Sequence, residues 1–187
     1  MPVMYAYILL THSKTLPAQL VRLWTGDAYS HAAISLDSPM TAYSFGRKGK
    51  LNFLNGGFIE EQFATMDQET QISILRLPIT QKAYYRARIL LAYFQDYGYC
   101  YHYNFKGIIG IMLHHRIGRR NAYFCSQFVS TLLEKSGAYF FSKPVCFIKP
   151  CDFLELNEAE ILYSGTLAHY LSSNAELDGS AAAAQWA

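Results

Sequence analysis

Residues 122–137, AYFCSQFVSTLLEKSG, restrict what this chain can become more than any other stretch. Phe128, Val129, Leu132 and Leu133 recur at the period of a helix with one buried face, and Gly137 suits the left-handed residue that ends one. The helix starts near Cys125, where unpaired backbone amides and a partial positive charge favour thiolate over thiol and can hold a developing oxyanion. Packing alone is the competing explanation, because free cysteine is among the most frequently buried residue types.

The rest of the chain supplies strands for such a helix to cover. Val3–Leu10 reads as a strand, and so does YSHAAISLD at 29–37, with Ala32, Ile34 and Leu36 on one face and His31, Ala33 and Ser35 on the other. TAYSF at 41–45 suggests its hairpin partner. The glycine-rich stretch 46–58 reads as a loop bordering a cleft. QISILRLP at 71–78 is a further strand candidate, ended by Pro78. Thr80 can cap a helix running to Tyr97 with Tyr84, Ala87, Leu91 and Phe94 as its apolar stripe and Gly98 as its stop. Shorter helices are expected over Thr15–Trp24 and over 105–113, the latter buried, and an irregular edge with a short helix begun at Asp152 follows. Residues 160–171 read as one bent strand or a tight hairpin across Gly165. The expected class is α+β, with a central antiparallel sheet packed against helices.

A chain of 187 residues with 51% hydrophobic and 16% charged residues has enough apolar surface for one substantial core. A single domain over 1–172 is expected, with 173–187 a flexible tail whose end is compatible with a cloning scar. The formal charge of +2 and one short basic patch, HHRIGRR at 114–120, do not provide the basic field of a nucleic-acid surface. No run approaches the ~18 apolar residues of a membrane span, and the amino terminus lacks the basic flank and cleavage site of a signal peptide. Cytoplasmic placement without stable membrane insertion is therefore expected, and the four cysteines, Cys100, Cys125, Cys146 and Cys151, are expected as free thiols. No dinucleotide or nucleotide-phosphate motif is present, and no cofactor is expected.

A thiolate nucleophile needs a base. Among the six histidines, His31 stands out because it lies in a probable strand beside Ala33 and Ser35, whose small side chains leave room for a helix end or a substrate. A histidine on a strand opposite a cysteine at a helix terminus is the papain-type pairing of nucleophile and base. In this order, YSHAAISLD, AYSFGRKG, GGFIEEQF and AYFCSQFVSTLL resemble the circularly permuted branch of the NlpC/P60 papain-like hydrolases, over roughly residues 5–170. That branch includes YiiX/YebB-like proteins and relatives of the lecithin:retinol acyltransferase group.

The resemblance implies that Cys125 attacks an amide or ester carbonyl and that His31 takes and returns the proton. It further implies a third polar residue, on the strand after the histidine strand, that orients the imidazole. Ser44 is the favoured choice there; Tyr43 faces the opposite way on pure alternation, and Glu60 or Glu61 could reach the ring from the next segment. The implied oxyanion donors are the Cys125 amide and a side chain from 99–105, with Tyr103 a candidate. A peptide, a cell-wall fragment or a lipid-type amide is the implied substrate class, through hydrolysis or acyl transfer. A noncatalytic binding domain that keeps the fold is the alternative, since TAYSF offers no acid or amide.

Two other features have competing explanations. Cys100, His102, His114, His115 and Cys125 are soft or borderline ligands, but their spacing is not that of a zinc site, and no metal is expected. The aromatic band 93–105 can be core filler or the wall of an apolar cleft. Cys146 and Cys151 are expected to pack at an irregular edge.

Overall fold

The computed structural model describes residues 3–12, 27–47, 56–112, 115 and 120–173. Six strands form one antiparallel sheet in the order β4-β3-β2-β1-β5-β8. They are β1 (Met4–Thr11), β2 (His31–Ser35), β3 (Thr41–Arg47), β4 (Gly56–Gln62), β5 (Gln71–Ile79) and β8 (Glu160–Thr166). Between them come β6 (His102–Tyr103) and β7 (Ala122–Tyr123), which pair parallel to each other. The helices that matter for the core and the site are α1 (Gln81–Tyr97), α2 (Phe105–Met112) and α3 (Cys125–Ser136).

β1 lies between β2 and β5 and is buried on both sides, which is why MYAYILLT is apolar almost throughout rather than alternating. Ala6, Ile8 and Leu10 face the larger core with Ala32, Ile34 and Phe45. Leu9 faces the other way, into a smaller cluster with Ala33, Ala42, Phe63, Ile72 and Ile74. The division of β2 into an Ala32/Ile34 face and a His31/Ala33/Ser35 face therefore follows its alternation.

α1 and α3 cover the larger core. Thr80 caps α1 by accepting the Ala83 amide at 3.2 Å, and Tyr84, Ala87, Leu91 and Phe94 form its buried stripe. α3 buries Phe128, Val129, Leu132 and Leu133 and stops at Gly137, whose φ of 77° is the left-handed conformation that a side chain would strain. Phe94 meets Phe128 edge to face at 5.1 Å, and each also contacts Phe45 and Phe58, so both helices share one aromatic centre with β3 and β4. Truncating Phe128 would cost about 3–5 kcal/mol on that basis.

Several expectations give way to long-range pairing. Both ends of the stretch read as a glycine-rich loop are strand: β3 continues to Arg47, and Gly56 and Gly57 open β4, where each pairs with a residue at the end of β3, while 48–55 lie outside the described residues. Pro78 does not end β5. It pairs with Tyr5 of β1 beyond the last β8 partner, Arg76, so its missing N–H leaves no ladder bond on the β8 side unmade. Gly98 has right-handed helical φ and ψ and leads into a 3-10 turn instead of a left-handed stop. α2 forms but leaves Ile109 half exposed rather than buried. The later 3-10 segment begins at Pro150, and Asp152 is its third residue, accepting the Lys149 amide at 2.6 Å. Residues after Thr166 turn into a helical segment, so 160–171 is neither one strand nor a hairpin. The helix expected over Thr15–Trp24, most of the 114–120 basic patch and the tail 174–187 lie outside the described residues.

Candidate active site

Cys125 is the first residue of α3 and is buried, with 6% of its surface exposed. The groups that act on its sulfur are the His31 ring and, more weakly, the backbone amides of Ala32, on β2, and Ser126, in the first helical turn. Burial pushes the thiol up. The His31 charge and hydrogen bond, together with the two amides, outweigh burial and hold Cys125 below its ordinary value. A core cysteine packed for volume would show the opposite balance.

His31 is the first residue of β2, and α3 reaches it from the Ala32/Ile34 side of the sheet. The ring Nε2 lies 2.7 Å from Oε1 of Glu61, and the two side chains are only 16% and 12% exposed. With Nε2 engaged by the carboxylate, Nδ1 is the nitrogen left for Cys125. Burial pulls His31 down, but the charges of Glu61 and Cys125 and the hydrogen bonds to both raise it well above its ordinary value. Burial likewise pushes Glu61 up, and His31 with the Ser44 hydroxyl brings it below the usual carboxylate value. The three groups thus favour thiolate, imidazolium and carboxylate together.

Strand parity selects these partners. Thr11 pairs with His31, Ile34 with Tyr43, Ala42 with Glu61 and Ser44 with Ile59, so His31, Ser44 and Glu61 share one face of the sheet. Tyr43 and Glu60 lie on the opposite face, where Tyr43 stacks on Phe58 and its hydroxyl accepts from Gln95 Nε2 at 2.9 Å. Of the residues considered for the third position, Glu61 touches the ring. Ser44 is fully buried and donates to the same Glu61 oxygen, so its link to His31 runs through the carboxylate.

Tyr103 approaches the sulfur from β6. Asn104 N–H donates to Tyr123 O and His102 N–H to Asn121 O, each at 2.9 Å, which binds the Tyr103 strand to the segment leading into Cys125. Burial, followed by the negative charge on Cys125 and a hydrogen bond to it, raises Tyr103 well above its ordinary value, so its hydroxyl remains a donor to the sulfur. The close fit depends on Gly56: a Cβ there would lie 2.7 Å from Tyr103 Cβ and 2.9 Å from Gly46 O. Gly46 in turn borders the His31 ring, with an added Cβ 3.9 Å from Cε1 and 2.6 Å from the Ile59 side chain. Both glycines and the Ala32 amide escape sequence reasoning, because their roles arise from cross-strand approach.

The remaining candidates fall elsewhere. The Cys151 thiol meets Tyr29 O at 3.7 Å; Cys146 is partly buried and Cys100 exposed. Among the described residues no three His, Cys, Asp or Glu side chains are grouped to hold a metal ion, and His114 lies outside them. The aromatic band divides: Phe94 and Tyr101 pack with the core, Tyr103 meets Cys125, and Tyr93, Tyr97 and Tyr99 are exposed. Among the described residues no helix is long and apolar enough to cross a membrane.

Such an arrangement favours the thiolate form of Cys125, can move a proton through an oriented imidazole and can donate a hydrogen bond beside the sulfur. No protein-family profile matches the chain, and no curated protein matches it.

Proposed function

We propose that this protein is a thiol hydrolase of the circularly permuted NlpC/P60 type that cleaves an amide or ester bond through an acyl-enzyme on Cys125. The observation that carries this reading is the Cys125–His31–Glu61 series at the amino end of α3, with the 2.7 Å His31–Glu61 contact behind the ring. A carboxylate in that position answers the main argument for a noncatalytic domain, namely the lack of an acid on β3.

In the first half-reaction the Cys125 thiolate attacks the carbonyl carbon, forming a C–S bond while the carbonyl electron pair moves to oxygen. The Tyr103 hydroxyl and the Cys125 amide are the donors for that oxyanion. Collapse expels the amine or alkoxide, which takes the proton from the His31 imidazolium. In the second half the neutral ring removes a proton from water, and the resulting hydroxide attacks the acyl carbon. Thiolate and carboxylic acid are released. Glu61 holds the ring orientation and stabilises its charge, and Ser44 positions Glu61. Peptides, cell-wall fragments and lipid-type amides are the substrate class.

The test is to incubate the full chain with a panel of activated esters and amides of these classes, and to weigh the intact protein and its Cys125 peptide. The expected result is an acyl adduct on Cys125 that turns over, is absent in Cys125→Ala and accumulates or forms slowly in His31→Ala. Absence of any adduct, together with Cys125 alkylation no faster than an ordinary thiol's at neutral pH, would overturn the reading.

A further inference from the structure

The outer face of α1 carries large side chains that a lone molecule leaves in water. Tyr85, Ile89, Tyr93 and Tyr97 follow one another at intervals of four residues and are 46–70% exposed. The opposite face of α1 already supplies the helix's share of the core. Tyr93 and Tyr97 rest on each other with ring centres 5.0 Å apart, and Tyr93 also abuts Phe94 and Tyr101, so the ridge is backed by packed rings. Exposed aromatic side chains with little freedom are the composition of protein–protein contacts.

We infer that this ridge is the interface of a homodimer, formed by α1 packing antiparallel on α1 of a second copy about a two-fold axis. Spacing and charge both favour a second copy as the occupant. Antiparallel pairing centred near Leu91 sets Tyr85 against Tyr97 and Ile89 against Tyr93, each pair occurring twice, and rows spaced by four residues are the ridges that commonly interdigitate between helices. Arg88 and Asp96 each lie three residues after a ridge member, on the same flank, so the same pairing brings Arg88 of one copy beside Asp96 of the other, also twice. The Arg88–Asp37 contact at 3.3 Å is solvent-exposed and does not prevent this.

The area is that of a weak, reversible dimer. With roughly 200 Å² for each large side chain, the exposed share of the ridge comes to about 400 Å² per copy. Two copies bury about 800 Å², the scale of a transient association rather than an obligate interface. The dimer is expected to form and dissociate over micromolar concentrations.

Sedimentation velocity of the full chain between roughly 5 and 200 µM tests this. The expected result is a concentration-dependent rise from monomer to dimer. Ile89→Glu and, independently, Tyr93→Ser should leave a monomer with unchanged circular dichroism and unchanged Cys125 alkylation. Asp96→Arg should weaken association several-fold, and adding Arg88→Asp to it should restore association by exchanging the charges. A monomer at every concentration, a dimer indifferent to Ile89→Glu and Tyr93→Ser, or failure of the charge exchange would each overturn the proposal. So would a wild-type monomer whose ridge instead binds anionic phospholipid vesicles.

Discussion

Replacing Glu61 by Gln tests the electrostatics of the site with almost no change in shape. The substitution keeps a hydrogen-bonding group near His31 Nε2 and removes the negative charge now 2.7 Å away. At an effective dielectric constant of about 20, two unit charges at that distance attract by ~6 kcal/mol. The charges are delocalised over a ring and a carboxylate, the side chains retain 16% and 12% exposure, and a neutral hydrogen bond recovers part of the interaction, leaving a loss of about 3 kcal/mol. That lowers the ratio of thiolate–imidazolium to neutral pair by about 10²-fold. Peptide-resolved iodoacetamide labelling as a function of pH reads this directly and separates Cys125 from the other three thiols. Alkylation of Cys125 in Glu61→Gln should be about 10²-fold slower near pH 7, and the gap should narrow as pH rises and the thiol ionises without the imidazolium. Unchanged labelling at neutral pH would refute the electrostatic argument. Equal loss at every pH would place the effect in altered access instead.

Other outcomes follow from the same contacts. The thermal-stability difference between wild type and Glu61→Gln should be largest between pH 4.5 and 6.5. The lowered carboxyl of Glu61 contributes stability above its ordinary 4.5 that is lost as pH falls through its folded value. The raised His31 contributes stability below its ordinary 6.5 that is lost as pH rises through its folded value. Melting curves across pH 3–9 should therefore give a bell-shaped difference; ~ 0 difference at all pH would contradict it. Tyr103→Phe should lower turnover about 10²–10³-fold while slowing Cys125 alkylation far less, since its hydroxyl matters most when charge develops on the substrate oxygen. Gly56→Ala should cost about 1–3 kcal/mol by driving a methyl group into Tyr103 Cβ and Gly46 O, seen as a lowered melting temperature together with the turnover defect of Tyr103→Phe. Thr80→Ala should cost about 1 kcal/mol by removing the α1 cap, with Cys125 alkylation unchanged.

Local chemistry made much of this molecule legible from the chain alone. The period of Phe128, Val129, Leu132 and Leu133, the left-handed stop at Gly137 and the Thr80 cap depend on neighbours within one or two turns, and each appears where those neighbours dictate. Cys125 at a helix start and His31 on the small-residue face of a strand are readable for the same reason. Alternation also separates Tyr43 from Ser44, because successive residues of a strand face opposite ways whatever the strand pairs with.

Which acid stands behind the imidazole was not readable, because it depends on how two strands far apart in the chain align. Setting Ala42 opposite Glu61 places that carboxylate on the His31 face and sends Glu60 to the other; a one-residue slip would exchange them. GGFIEEQ has too few alternating apolar positions to announce such a strand, and its two glycines suggest a loop until β6 is seen lying against it. Pro78 misleads in a similar way, since only the length of β8 determines whether its missing N–H matters. The place of Cys125 at a helix start thus follows from short-range periodicity, whereas the electrostatics around its sulfur, the carboxylate behind His31 and the approach of Tyr103 follow from the register and close approach of segments that meet only when the whole chain is folded.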